Sequence, residues 1–236
     1  MKIESCMSPR LLAIADCATK GSRLADIGTD HAYIPVYLVQ KNIISSALAM
    51  DINVGPIQRA EANIRKYRLE DKIETRLSNG LENLKPNEAD EIVIAGMGGI
   101  LIAEILNAAR RLWDDNIRFI FQPMTAAEEL RKFLEINGFY IEKEALAEEE
   151  NKIYQIICAV RGIMKTKCEV DYYISPYLRR NKIPLTDKLI ECKIREFEKM
   201  LTGLSKCERA EAREKRDYIS LLLKELYMLK EECAQW

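Results

Sequence analysis

The chain has 236 residues, 48% of them hydrophobic, which is enough to bury one full α/β core with length left for a smaller second unit. Its formal net charge is −1, and no apolar run approaches the roughly 20 residues that a membrane span requires. Seven cysteines without a C-x-x-C pair, beside a single histidine, exclude a zinc site and a disulfide framework, so no metal is expected and the thiols are read as reduced. The amino-terminal stretch lacks the apolar core of a secretion signal, and the expected location is cytoplasmic.

Ser8-Pro9 is a helix start, a capping hydroxyl followed by proline at the first helical position, and Leu11, Leu12, Ile14, Ala15 and Ala18 recur at helical spacing as far as Lys20-Gly21. Leu24 to Ile27 is a short apolar run of the kind that forms a buried parallel strand, and Gly28 follows where the chain must turn toward the next helix, over Ile34 to Gln40. Such a turn brings backbone N–H groups to the carboxyl edge of a sheet, where open α/β folds bind ligands. Here it also carries two carboxylates, Asp26 and Asp30. They would repel the pyrophosphate of a dinucleotide, and they suit a cationic ligand such as S-adenosyl-L-methionine, which has an ammonium and a sulfonium.

A second apolar run, Ile43 to Met50, ends in Asp51-Ile52-Asn53. Asp51 stands 25 residues after Asp26, close to the separation at which an acid on the second strand of a nucleotide-binding unit meets a ribose. It can also cap the following helix, from Pro56 to about Tyr67, and the two roles are compatible. Lys72 to Leu77 forms a third strand that runs into Ser78-Asn79-Gly80, where an amide can read a purine edge or simply make an Asn-Gly turn. A fourth buried strand opens into Ala95-Gly96-Met97-Gly98-Gly99. Three glycines in four residues let the backbone approach a flat ligand closely, whereas a tight strand-to-helix joint needs one.

Ile100 to Leu112 is predicted helical, Ile117 to Phe121 is a fifth strand closed by Gln122-Pro123, and Thr125 with Glu128 reads as a capping box for a helix to about Asn137. Phe139 to Leu146 and Ile153 to Val160 then pair as a hairpin across an acidic turn. Five strands with intervening helices, finished by two strands joined directly, is the order of a class I methyltransferase rather than of a dehydrogenase built from two βαβαβ halves.

From Arg161 onward the chain holds 17 Lys and Arg against 13 Asp and Glu, net +4, which leaves −5 for the rest. The excess fits a solvated helical surface as well as a nucleic-acid footprint. Leu178-Arg179-Arg180-Asn181-Lys182 follows a tyrosine-rich stretch. Ile190, Ile194, Phe197, Leu201 and Leu204 make a heptad seam, and Ile219, Leu222, Leu226, Leu229 and Cys233 make another. A capping box at Ser205 to Glu208 separates them, so an antiparallel helical hairpin is expected. A monomer is expected, with dimerisation through this tail as the alternative.

Together these residues resemble a bacterial family, the TrmK tRNA (adenine-N(1))-methyltransferases that modify adenosine 22. The resemblance rests on Arg23-Leu-Ala-Asp-Ile-Gly-Thr-Asp-His-Ala-Tyr33, on Ile94-Ala-Gly-Met-Gly-Gly99, on Gln122-Pro123, and on Asn137-Gly-Phe139 with Lys152-Ile-Tyr-Gln-Ile156. Thr29 and Met124 depart slightly from the family pattern, and neither changes a charge. It implies a Rossmann-like α/β sheet, parallel with a terminal antiparallel hairpin strand, over residues 1–162, followed by an all-α coiled-coil-like hairpin over 163–236. The implied cofactor is S-adenosyl-L-methionine, held by Asp26, Gly28, Asp30, His31, Asp51, Ile52, Ser78, Asn79, Gly80, Ala95 and Gly96. The implied partner is tRNA, with Asp30, His31, Gly96 and Met97 at the chemistry and Arg10, Tyr33, Arg179, Arg180 and Lys182 on the nucleic acid. Three rivals follow from the same residues: a methyltransferase for another RNA position, a methyltransferase for a small molecule or a protein, and a non-catalytic binding protein whose working part is the helical tail. A nucleotide-dependent oxidoreductase fits least, because G-x-G-x-x-G is missing.

Overall fold

The computed structural model describes residues 3–114, 116–204 and 209–236. They fall into two compact units, Met1–Met164 and Lys165–Trp236.

The first unit is built on a seven-stranded sheet: β1 (Arg23–Ile27), β2 (Ser46–Asp51), β3 (Ile73–Leu77), β4 (Glu91–Gly98), β5 (Arg118–Thr125), β6 (Phe139–Glu149) and β7 (Lys152–Arg161), in the spatial order β3-β2-β1-β4-β5-β7-β6. The first five strands are parallel, and β7 is antiparallel to both β5 and β6. Side chains alternate across each strand, so each face builds its own core. Leu24, Ala49, Val93 and Ile120 meet α1 (Pro9–Ala15), α2 (Tyr33–Gln40) and α3 (Val54–Tyr67) on one side. Ile27, Met50, Ile92 and Phe119 meet α4 (Gly99–Ala108) and α5 (Ala127–Ile136) on the other. The chain reverses order between β1 and β4, which opens a crevice at their carboxyl ends.

Buried charge ties the layers together. Glu91 accepts hydrogen bonds from Thr19 N–H, Ser22 Oγ and Arg118 Nη1 at the amino edge of the sheet. On α5, Arg131 donates to Glu144 of β6 and Gln155 of β7, and all three side chains are buried. That pair fixes the terminal hairpin against the helix, because separating either partner would strand a charge in the core.

Three local expectations differ from the structure. Thr125 is the last residue of β5 and does not cap α5, whose N-cap is Ala126 in the left-handed region at φ 52 without a side-chain cap. The first helix ends at Ala15, short of Lys20-Gly21. The predicted helix over Ile100 to Leu112 is α4 followed by a separate 3-10 turn, Arg110–Leu112.

The second unit contains α6 (Val170–Tyr173), α7 (Pro176–Arg180), α8 (Thr186–Leu204) and α9 (Ala210–Cys233). Glu191 pairs with Lys230 at 3.0 Å and Glu198 accepts from Tyr227 at 2.5 Å, so α8 and α9 run antiparallel. Ile190, Ile194 and Phe197 are buried on α8, as are Ile219, Leu222, Leu226 and Leu229 on α9. The capping box at Ser205 to Glu208 lies outside the described residues. Among the described residues, no helix is long and apolar enough to cross a membrane.

Candidate functional site

A cavity of about 340 Å³ opens where β1 and β4 end, lined by Arg10, Leu11, Asp26, Gly28, Thr29, Asp30, His31, Tyr33, Ile34, Ala95 and Gly96. Asp26 is the last polar group of a strand buried on both faces, and it is only 5% exposed. Its Oδ2 accepts the Thr29 hydroxyl at 2.6 Å, and among the described residues no cationic side chain pairs with it. Burial raises its pKa to about 6; the Thr29 hydrogen bond opposes this and the nearby Asp51 adds to it. A buried carboxylate without a counter-ion is a site for a cation.

Gly28 turns the chain at φ 76, and its N–H is held by the Met50 carbonyl at 2.8 Å. A Cβ there would stand 2.4 Å from Met97 Cε, so the Met97 side chain lies over Gly28 instead of lining the cavity. The next turn holds Asp30 at φ 42 and Ala32 at φ 54. Asp30 is exposed, and its Oδ1 accepts two bonds from Arg59 of α3, Nε at 3.1 Å and Nη2. His31 Nε2 lies 3.6 Å from Asp30 Oδ2, and its ring stacks on Tyr33 with centroids 5.0 Å apart and planes 6° apart.

Arg10, expected to contact nucleic acid, forms part of the cavity wall. Glu149 at the end of β6 accepts from the Ser8 hydroxyl at 2.7 Å and from the Arg10 N–H at 3.3 Å, which fixes the start of α1. The Arg10 guanidinium then donates to Gln122 Oε1 at 2.8 Å and sits 5.6 Å from the Tyr154 ring centre.

Several predicted residues stand apart from this cavity. Asp51 Oδ1 accepts the Asn53 N–H at 2.8 Å, a local turn at the start of α3, and Ile52 is 58% exposed. The Ser78 hydroxyl is buried and donates to Gly80 O, Asn79 Nδ2 donates to Glu82, and Asn79 and Gly80 border a separate cavity of about 220 Å³ with Leu101 and Ile105. The glycines where β4 runs into α4 divide their duties. Gly96 has φ 78 and faces the cavity, while a Cβ on Gly99 would stand 2.1 Å from the Ala126 carbonyl, so Gly99 serves helix packing and not a ligand. In the second unit Arg180 and Lys182 are exposed, and Arg179 pairs with the buried Asp171.

No local pattern pointed to Arg59, because only the return of α3 brings it to Asp30. Gln122 read as a strand terminator. Its buried side chain in fact bridges Arg10 and the Gly96 N–H, at 2.8 and 3.2 Å.

Residues 7–157 match the family model for a methyltransferase domain. The tRNA (adenine(22)-N(1))-methyltransferase of Bacillus subtilis is 39% identical over 156 residues, 66% of each chain. The crystal structure of B. subtilis TrmK superposes with a TM-score of 0.86 at 30% identity, covering 95% of this chain and 98% of that one. The chain belongs to the TrmK methyltransferase family. A second TrmK-like structure, Streptococcus pneumoniae Sp1610 in complex with S-adenosyl-L-methionine, superposes at 0.80 with 34% identity over 92% of this chain and 99% of that one. The TrmK architecture therefore extends through both units, although the sequence alignment with the curated B. subtilis relative spans just under two thirds of that protein's length.

Proposed function

We propose that this protein is an S-adenosyl-L-methionine-dependent tRNA methyltransferase that methylates N1 of adenosine 22. The observation that carries the reading is the buried carboxylate of Asp26, without a cationic partner among the described residues, in one cavity with Gly28, Arg10 and Gly96, in a member of the TrmK family. The residues present fit the cofactor. Asp26 offers a buried acceptor to its ammonium, Arg10 a guanidinium to its carboxylate, and Gly28 the left-handed turn, at φ 76, that carries the chain along the cavity. Beyond the lining of that cavity, Asp51, close enough to Asp26 to raise its pKa, is assigned to the ribose hydroxyls, and Ser78 to Gly80 at the end of β3 to the purine. When bound, the cofactor supplies an electrophilic methyl group on a sulfonium.

Adenine N1 already presents an in-plane lone pair, so no base is needed to create the nucleophile. The protein's task is to hold nitrogen and methyl carbon in line, a contribution of about 7–11 kcal/mol when the geometry is well set. Gly96 supports this by leaving the cavity wall bare. Asp30 offsets the charge that arrives on the base, and the His31–Tyr33 stack supplies an aromatic wall beside it. N1 lies on the pairing edge, so the base must leave its stack at a cost of a few kcal/mol. Contacts to tRNA shape and phosphate, with Arg180 and Lys182 of the second unit among them, offset that cost. The reaction belongs to the cytoplasm, where tRNA is found.

Mass spectrometry of nucleosides from tRNA incubated with protein and cofactor tests the reading. One 1-methyladenosine at position 22 is the expected product. A methyl group elsewhere, or none, overturns it.

A further inference from the structure

Gln122 is fully buried near the end of β5, and its side-chain amide serves both the cavity and the strand end beyond it. The oxygen accepts from Arg10 Nη1 and from the Gly96 N–H. The nitrogen donates to the Pro123 carbonyl at 3.0 Å and to Met124 Sδ at 3.6 Å. The pairing of β4 with β5 is irregular at this point, shifting between Ala95 and Met97 and again between Met97 and Gly98. Such shifts re-aim side chains at a sheet rim. Met97 comes opposite Pro123 and Gly98 opposite Thr125, which sets Met124 level with the glycine loop.

Two properties of this rim point to a flat ligand. A Cβ built on Gly96 would make a single ordinary contact, with Arg10 Nη1 at 3.9 Å, so its backbone is uncrowded on the cavity side. Met124 belongs to neither core cluster and is 43% exposed, a long apolar side chain outside the cavity lining that is tied to it through the Gln122 amide, which reaches both Met124 Sδ and the Gly96 N–H. A purine taken out of its stack needs a new apolar surface for its face, and a polarisable thioether is well suited to an aromatic ring.

We infer that Met124 is the side chain against which the face of the target purine rests, held at the rim by the Gln122 amide; this deepens, and rests on, the tRNA methylation proposed above. Met124 thereby favours a large flat base over a pyrimidine at the methyl-transfer position.

The test uses the full chain with Met124→Ala and Met124→Leu, both at an exposed side chain. Met124→Ala is expected to lose about tenfold in kcat/KM for tRNA while the calorimetric Kd for S-adenosyl-L-methionine stays within about twofold of wild type; Met124→Leu, which keeps the apolar volume, stays within about threefold. A tRNA with 2-aminopurine at the target position reports the contact directly, since its fluorescence in the complex should differ between wild type and Met124→Ala. Unchanged kcat/KM in Met124→Ala, unchanged fluorescence, or an equal loss of cofactor affinity overturns the inference and leaves the function standing. A wild-type protein that methylates no tRNA overturns both.

Discussion

Arg59 donates two hydrogen bonds to a single oxygen of Asp30, Oδ1, which leaves Oδ2 turned toward His31 at 3.6 Å. The carboxylate is thus split between a cation that holds it and an imidazole on the cavity wall. Both members of the ion pair are about half exposed, at 48% and 59%, so the pair contributes less than about 1 kcal/mol to stability. Its value lies in orientation.

Asp30→Asn should therefore lower kcat with little change in cofactor affinity, and Arg59→Gln should lower kcat less, because the charge remains and only its anchor is lost. Urea denaturation should find both within about 1 kcal/mol of wild type. Wild-type turnover in Asp30→Asn would remove the carboxylate from the chemistry.

Asp26 predicts a pH dependence. Burial lifts its pKa from 3.8 to about 6, above the unfolded value, so between those two values the folded state holds the proton. The group's contribution to stability is present at low pH and declines as pH rises from about 4 through about 6. A cationic ligand needs the carboxylate, so affinity for S-adenosyl-L-methionine should be flat above pH 7 and weaken about tenfold between pH 6.5 and 5. Calorimetry on Asp26→Asn should show weak binding without that dependence, and its thermal midpoint at pH 7.5 should not fall below wild type. A pH-independent wild-type Kd would mean that Asp26 does not face the cation.

The loop glycines should separate stability from activity. Gly99→Ala sets a methyl group against the Ala126 carbonyl, a backbone that cannot give way, and should cost about 2–4 kcal/mol by thermal denaturation. Gly96→Ala costs about 1 kcal/mol of backbone strain, yet its methyl group enters the cavity and should lower kcat far more than its stability loss explains. The reverse ranking would contradict the division of labour between them.

In the second unit, Arg180→Glu with Lys182→Glu should weaken tRNA binding and reduce the slope of log affinity against log salt by about 2, with cofactor binding unchanged. Arg179→Ala should instead destabilise the unit, because it strands Asp171, whose side chain is 4% exposed. An unaltered salt slope in the double variant would remove both cations from the RNA contact.

The order of buried strands, the final hairpin and the two heptad seams follow from apolar spacing alone, as does the turn that carries Asp26, Gly28 and Asp30, because short-range periodicity dictates which face each residue buries. A family-specific run of residues around that turn and around Gly96 was likewise legible. What a side chain meets across the fold was not. Tertiary packing alone decided that Arg10 forms a cavity wall, that Arg59 reaches Asp30, that Gln122 joins Arg10 to Gly96, that Gly99 answers to Ala126, and that Arg179 is spent on Asp171. Apart from Arg179 and Asp171, these partners lie 26 to 112 residues apart along the chain, and no local pattern encodes a distance that is set by how helices return across a sheet.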